Sequence, residues 1–328
     1  MEIRKFSKET DSFQELSELS KMGLGGNEPE YWEWKYEEEN GFDKKQMFVM
    51  TDGDKKIAMM GYLPMHYIDG KGEIHKLAQL CDLVVHPDYR GGGKFYQMTE
   101  AMKKEAELKG YEGFCGFPNA NSTHGFDRLG YTLMPLNSYP LKGNKFRILL
   151  HKLGLGRKIG KTNFRVEILS ENIGEFAHKL SEKGRWLSTN STHLHINKEF
   201  IKWRCDDYKG VDYRSITLYD GEKLVAFFII LVTKGRVKTA VKVVSFDILE
   251  SYMENADKIA EDFKKSAYTI GDLIDFYGVW NKEIEEKAVK IFGIEDKIES
   301  NYKFILKQFG DEKIDVDTLF VNHIDSEL

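Results

Sequence analysis

Apolar positions along the chain recur at a period of two in some stretches and near 3.6 in others, which predicts strands and helices in mixed order. Alternation marks strands over Met1–Phe6, Gln46–Thr51, Lys56–Leu63 and Lys76–His86, and helical spacing marks Asp11–Met22 and Glu28–Glu39. The Asp52-Gly53 step signals a hairpin of type I′, whose two central residues take positive φ. A helix ending at Gly110 follows, then a strand over Gly113–Phe117, a short helix over Asn121–Leu129 and a strand from Tyr131.

The second half repeats this order. EYWEWKYEEENG from Glu30 is answered by EFIKWRCDDYKG from Glu199, an offset of 169 residues, and TDGDKKIA is answered by YDGEKLVA at an offset of 168. Two matches in register imply an internal duplication of roughly 150 residues, each copy an α+β domain. The expected division is 1–145, a linker over 146–164, and 165–328. Between the copies, Arg128 to Val166 holds nine Lys and Arg residues and no acid. That stretch is either a crossover strand with a solvated linker or a basic wall beside an anionic ligand or a membrane surface. GLGRKIG from Gly154 has the spacing GxGxxxG rather than GxGxxG, so no dinucleotide fingerprint is assigned.

Composition narrows the function. The 328 residues are 41% hydrophobic and 31% charged, as in a globular protein, and the formal charge of -5 argues against a nucleic-acid binder working by bulk positive charge. Cys81, Cys115 and Cys205 lie far apart with no CxxC pair, so neither a disulfide framework nor a zinc knuckle is indicated and a reducing cytoplasm fits. The longest apolar run, Leu224 to Val232, is half of what a membrane span needs, and the N-terminus lacks the apolar run of a signal peptide. His193 and His195 share a strand face without a third ligand candidate, so no metal is expected.

The chemistry concentrates at VVHPDYRGGGKFYQMTEAM, Val84 to Met102. Unpaired N–H groups at a helix start, together with the helix dipole, attract anions. Gly91, Gly92 and Gly93 remove every Cβ that would keep a phosphate away, Arg90 and Lys94 add charge, and no acid stands between Tyr89 and Thr99. A P-loop is excluded, because Asp88 and Phe95 occupy the positions of its first glycine and its hydroxyl residue.

Val85, Pro87, Arg90 and Gly93, with NANSTHGFDRLGY downstream, make this segment resemble the Gcn5-related N-acetyltransferases (GNAT), whose signature is V-x-P-x-x-R-x-x-G-x-G/A followed by an asparagine, an aromatic residue seven positions on, and G-F or G-Y. Phe95 departs from the small residue expected at the end of that signature. The resemblance covers Met1 to about Tyr139. It implies two tandem domains of this type, each a central, mostly antiparallel twisted sheet flanked by helices, and acetyl-coenzyme A or another acyl-coenzyme A as co-substrate with no metal. Residues 90–95 would hold the pyrophosphate, the pantetheine arm would pair along Leu83, Val84 and Val85, and Asn119 and Phe126 would flank it. The thioester carbonyl would meet an N–H near Leu83, as acyl transfer requires of a fixed oxyanion donor.

The proton chemistry is less determined. Asp82 can serve as a base, an acceptor anchor or a structural partner. Phe126 stands where many relatives carry an acidic tyrosine; Ser122, one turn earlier, can hydrogen-bond the leaving sulfur or serve the helix start. A thiol with pKa about 8.5 leaves without strong acid help. In this fold the segment between the first two helices lines the acceptor side, so the resemblance suggests the aromatic helix YWEWKY as an acceptor wall, although the recurrence of Phe200 and Trp203 in the second copy marks Tyr31 and Trp34 as packing positions. The second copy carries Phe246-Asp247-Ile248 against Cys81-Asp82-Leu83, then Glu250 and Glu254 in place of glycines and cations, so it is not expected to bind coenzyme A. The expected activity is N-acyl transfer to a small amine such as an amino sugar. The alternatives are a non-catalytic acyl-coenzyme A sensor or scaffold, and a Fem-type aminoacyl transferase using the basic linker for RNA.

Overall fold

The computed structural model describes residues 1–37, 44–142, 159–181, 184–208, 210–311, 313–322 and 324. Most of the basic linker, including GLGR from Gly154, lies outside the described residues. The N-terminal half runs β1 (Glu2–Lys5), α1 (Phe13–Ser20), α2 (Pro29–Glu37), β2 (Gln46–Asp52), β3 (Lys55–Ile68), β4 (Ile74–Val85), α3 (Lys94–Leu108), β5 (Gly113–Gly116), α4 (Ala120–Arg128) and β6 (Thr132–Pro140). The C-terminal half runs β7 (Arg165–Leu169), a 3-10 helix (Ile173–Ser181), β8 (Thr192–Leu194), α5 (Lys198–Ile201) continuing as a π turn (Lys202–Asp207), β9 (Tyr213–Asp220), β10 (Lys223–Lys234) and β11 (Thr239–Ile248). It closes with α6 (Ala256–Ile270), β12 (Leu273–Trp280), α7 (Lys282–Phe292), β13 (Ile298–Gln308) and β14 (Leu319–Asn322).

Local signals account for most boundaries. Ser12 and Glu15 form a reciprocal capping box that starts α1. The β2–β3 hairpin forms at Gly53, with φ +59, and its copy forms at Gly221, with φ +57. Neither Asp52 nor Asp54 joins Gly53 at positive φ, so the turn is not the type I′ expected from Asp52-Gly53. Pro64 does not end β3, which continues to Ile68 against Ile74 of β4.

The strands make one sheet, in the order β1, β2, β3, β4, β5, β13, β6, β12, β11, β10, β9, β7, with β8 and β14 branching from it. The two halves exchange strands at its centre. β13 enters the first half, pairing antiparallel with β5 through Ile305–Gln308, and β6 enters the second, pairing antiparallel with β12 through Asn137–Pro140. The two exchanged strands also pair with each other. Each half's sheet is therefore completed by a strand of the other.

Buried side chains form three clusters. One lies under α3 and α4, around Met98, Met102 and Phe126, and one under α6 and α7, around Phe228, Phe263 and Phe292. The third belongs to both halves, joining Trp32, Trp34 and Tyr36 of α2 to Phe200 and Trp203. Among the described residues no helix is long and apolar enough to cross a membrane.

Candidate active site

Met59 pairs with Val84 and Gly61 with Cys81, so Met60 faces two residues, Asp82 and Leu83, and β4 bulges. Asp82 takes φ +53 there. Parallel pairing of β4 with β5 covers only Leu77–Leu80 against Gly113–Gly116, and past Gly116 the two strands part. The His86 N–H bonds the Ile57 carbonyl, so residues 84 and 86 face β3 and, by alternation, the backbone of Leu83 and Val85 faces the gap.

A cavity of about 650 Å³ fills that gap. Of the residues expected at the site, Asp82, Leu83, Val84, Val85, Arg90, Phe95, Asn119, Ser122 and Phe126 line it. Gly91, Gly92, Gly93 and Lys94 connect two of these, Arg90 and Phe95, at its rim. Sequence reasoning missed Gly23 and Leu24 of the α1–α2 connection, Met60, and Ile305, which arrives on the exchanged strand β13.

The glycine loop is open. Its three φ values are +86, +59 and +72 at Gly91, Gly92 and Gly93, a run that side chains with a Cβ rarely adopt. A Cβ at Gly91 or Gly93 would meet nothing within 4 Å, and one at Gly92 would meet only Lys94 Nζ at 3.3 Å. Among the described residues the N–H groups of Gly91 to Tyr96 have no hydrogen-bond acceptor; the first paired amide is that of Gln97, on the Gly93 carbonyl. Gly93 caps α3 without a side chain, and no acid stands in its first turn. Arg90 braces the loop by donating to the carbonyls of Val85 (3.3 Å) and Met22 (3.2 Å).

Phe95 has a structural partner that accounts for its departure from the expected small residue. Its ring packs edge-on against Phe126 at 5.0 Å, and a Cβ at Gly125 would come within 2.8 Å of it. The glycine on α4 makes room for the aromatic on α3. Asn119 caps α4, its side-chain oxygen accepting from the N–H groups of Asn121 (3.0 Å) and Ser122 (3.3 Å), while the Ser122 hydroxyl donates to the Asn119 carbonyl at 3.3 Å. Tyr131, edge-on to Phe126, does not line the cavity; its buried hydroxyl is unpaired and burial pushes its pKa well up.

Asp82 is held from one side. Oδ2 accepts from the Lys35 ammonium at 2.7 Å and from the Tyr36 hydroxyl at 2.5 Å, both from α2, and among the described residues Oδ1 has no hydrogen-bond donor. Trp34, between the aromatic residues that suggested an acceptor wall, is buried and stacks on Trp203.

The second half differs where the first is open. The Leu187 N–H donates to the Ile248 carbonyl at 2.8 Å and the Glu250 N–H to the Arg185 carbonyl at 2.7 Å, with Trp186 bridged to Leu249. The strand edge matching Leu83–Val85 is thus paired by the chain itself. A 3-10 helix, Glu250–Asn255, replaces the glycine loop, and Glu250 is paired with Arg185 at 3.1 Å. His193 and His195 line a separate cavity of about 430 Å³ beside Asp247.

Residues 2–134 match the family model of the acetyltransferase (GNAT) domain. No curated protein matches the chain. Among solved structures, a probable N-acyltransferase from Enterococcus faecalis V583, titled a conserved protein of unknown function, is similar with TM-score 0.68 at 12% identity, over 94% of this chain and 72% of that one. A GCN5-related N-acetyltransferase from Anabaena variabilis gives TM-score 0.65 at 13% identity, over 94% and 72% of the two chains. N-myristoyltransferase of Saccharomyces cerevisiae, with bound myristoyl-CoA, gives 0.61 at 9% identity, over 100% and 85%. At such identities the likeness is one of fold. Taken with the open bulge and glycine loop, these matches make the chain a GNAT-fold protein whose residues 2–134 match the acetyltransferase (GNAT) domain.

Proposed function

We propose that the chain is an acyl-coenzyme A-dependent N-acyltransferase with one working site, in the N-terminal half, acting on a small amine. The observation that carries this reading is the run of unpaired N–H groups from Gly91 to Tyr96 at the rim of a cavity bordered by the open backbone of Leu83 and the Val85 N–H, the Val85 carbonyl being taken by Arg90. Amides at a helix start suit a pyrophosphate, and a free strand edge suits the amide groups of a pantetheine arm. Acetyl-coenzyme A is the co-substrate we assign.

The chain's residues then divide the work. Gly91 to Phe95, with Arg90 and Lys94, bind the diphosphate. The backbone of Leu83 and Val85 aligns the arm, and the Leu83 N–H polarises the thioester carbonyl, a contribution of roughly 3 to 4 kcal/mol for a fixed oxyanion donor. Oδ1 of Asp82 faces the acceptor amine. An amine of pKa about 10.4 is neutral in about one molecule in a thousand at neutral pH, so a nearby carboxylate that takes its proton matters to the rate. Ser122 is spent on the Asn119 carbonyl in this structure and would turn to reach a sulfur. With Phe126 bringing no hydroxyl, the thiolate leaves unaided. The second half, its matching edge already paired, braces the first.

Acetyl-coenzyme A incubated with a panel of amino sugars, polyamines and amino acids tests the reading, with release of free thiol as the readout. Transfer to at least one acceptor supports it. Tight binding with no thiol release across the panel selects a non-catalytic binder instead.

A further inference from the structure

Among the described residues only Asp82 and Asn172 hold positive φ without being glycine. Such a backbone persists where its surroundings over-determine it. At Asp82 two side chains of α2 do so, Lys35 and Tyr36, each bonded to Oδ2. All three groups are buried: Lys35 is 1% exposed, Tyr36 8% and Asp82 9%. The neighbouring strands are shaped around Tyr36. Its hydroxyl lies 3.2 Å from Cys81 Sγ, and a Cβ on Gly61 would fall 1.8 Å from its oxygen, so β3 has a glycine where the phenol passes.

The duplicated half supplies a control within the same chain. At the offset that joins Trp34 to Trp203, Lys35 and Tyr36 correspond to Arg204 and Cys205. Asp247, the counterpart of Asp82, does not take positive φ. Its carboxylate receives the Ser188 hydroxyl and the N–H groups of Ser188 (3.2 Å) and Ile248 (2.9 Å). The ammonium, the phenol and the left-handed aspartate therefore occur together in the half with an open strand edge. They are missing together from the half whose edge Arg185–Leu187 closes.

We propose that Lys35 and Tyr36 are positioning residues for acyl transfer. By gripping Oδ2 of Asp82 they fix the left-handed turn that points the Leu83 N–H into the gap between β4 and β5, and they leave Oδ1 to the acceptor. The effect on rate rests on the acyl-transfer reading; the effect on the bulge rests on this geometry alone.

Tyr36→Phe keeps the ring and removes the bond, and Lys35→Met serves as a second variant. Two measurements separate the claims. Amide hydrogen exchange in the ligand-free protein is expected to quicken about tenfold at Val84 and His86, which face β3 beside the bulge, while α3 and α6 keep wild-type rates. Steady-state kinetics are expected to show kcat down about tenfold or more with the KM for acetyl-coenzyme A within about twofold, because the diphosphate loop is untouched. Wild-type exchange at the bulge in both variants overturns the proposal, as does wild-type kcat in both. If the unaltered enzyme transfers to no acceptor while Tyr36→Phe still loosens the bulge, the transferase reading fails and the positioning of Asp82 stands.

Discussion

The indole N–H of Trp34 donates to the main-chain carbonyl of Trp203 at 2.9 Å, and the indole N–H of Trp203 donates back to that of Trp34 at 3.2 Å. The two rings stack 5.0 Å apart and 12° from parallel. These residues stand 169 positions apart, the offset at which the two sequence segments recur, and the contact ties α2 to the π turn of the other half. Replacing either tryptophan by alanine is expected to cost about 3 to 5 kcal/mol. Because each ring holds the other, the double variant should cost less than the two single losses summed. Urea denaturation checks this, and simple additivity would contradict the reciprocal contact.

A second expectation concerns Phe95 and Gly125. With a Cβ at 125 only 2.8 Å from the Phe95 ring, Gly125→Val should overpack the α3–α4 contact and cost about 1 to 3 kcal/mol. In a Phe95→Ala background the same substitution should be nearly free of that penalty. Thermal unfolding of the two single variants and the double one measures the coupling.

Strand exchange makes a third. Without β13, the first half loses one of the two partners of β5 and the partner of most of β6, and Ile305 leaves the cavity. Residues 1–142 expressed alone are expected to aggregate or bind no coenzyme A, since the edge of β5 stands open and β6 has no strand to pair with. Co-expression with 159–328 should restore a soluble complex that binds. A monomeric 1–142 fragment with full affinity would contradict the exchanged topology.

The fourth is a pH dependence. Burial pushes the Asp247 carboxyl up to about 7, against hydrogen bonds from Ser188 and Ile248 that pull it down. An unfolded aspartate titrates near 3.9. The folded chain therefore keeps a proton that the unfolded chain has already released; this contribution is whole below about pH 4 and drains away as pH rises to about 7. Asp247→Asn should flatten the decline, so that the variant gains on the wild type between about pH 4 and about pH 7. Parallel curves in urea unfolding would show that Asp247 is not its source.

The glycine loop was legible because three consecutive glycines have few uses, and the hairpins at Gly53 and Gly221 because their turn residues recur in register. What escaped was long-range. Nothing local distinguishes β6 or β13 from strands that stay in their own half, so the exchange that brings Ile305 to the cavity has no sequence signal. Lys35 and Tyr36 were hidden in a helix read for its aromatic packing, though a lysine beside buried tryptophans was the available clue. The paired edge of the second half likewise depends on Arg185–Leu187 folding back some sixty residues along the chain to Ile248–Glu250. From the sequence, only the missing glycines and the misplaced acids suggested that half was idle.

The most direct measurement is calorimetric titration of acetyl-coenzyme A into the wild type, Gly92→Glu and Gly92→Gln. Both variants place a Cβ at positive φ, and only the first adds a carboxylate beside the amides of Gly91 to Tyr96. The expected result is a dissociation constant raised about a hundredfold or more by Glu and far less by Gln, with unfolding midpoints alike. Equal affinity in wild type and Gly92→Glu would contradict the claim that these amides hold the diphosphate.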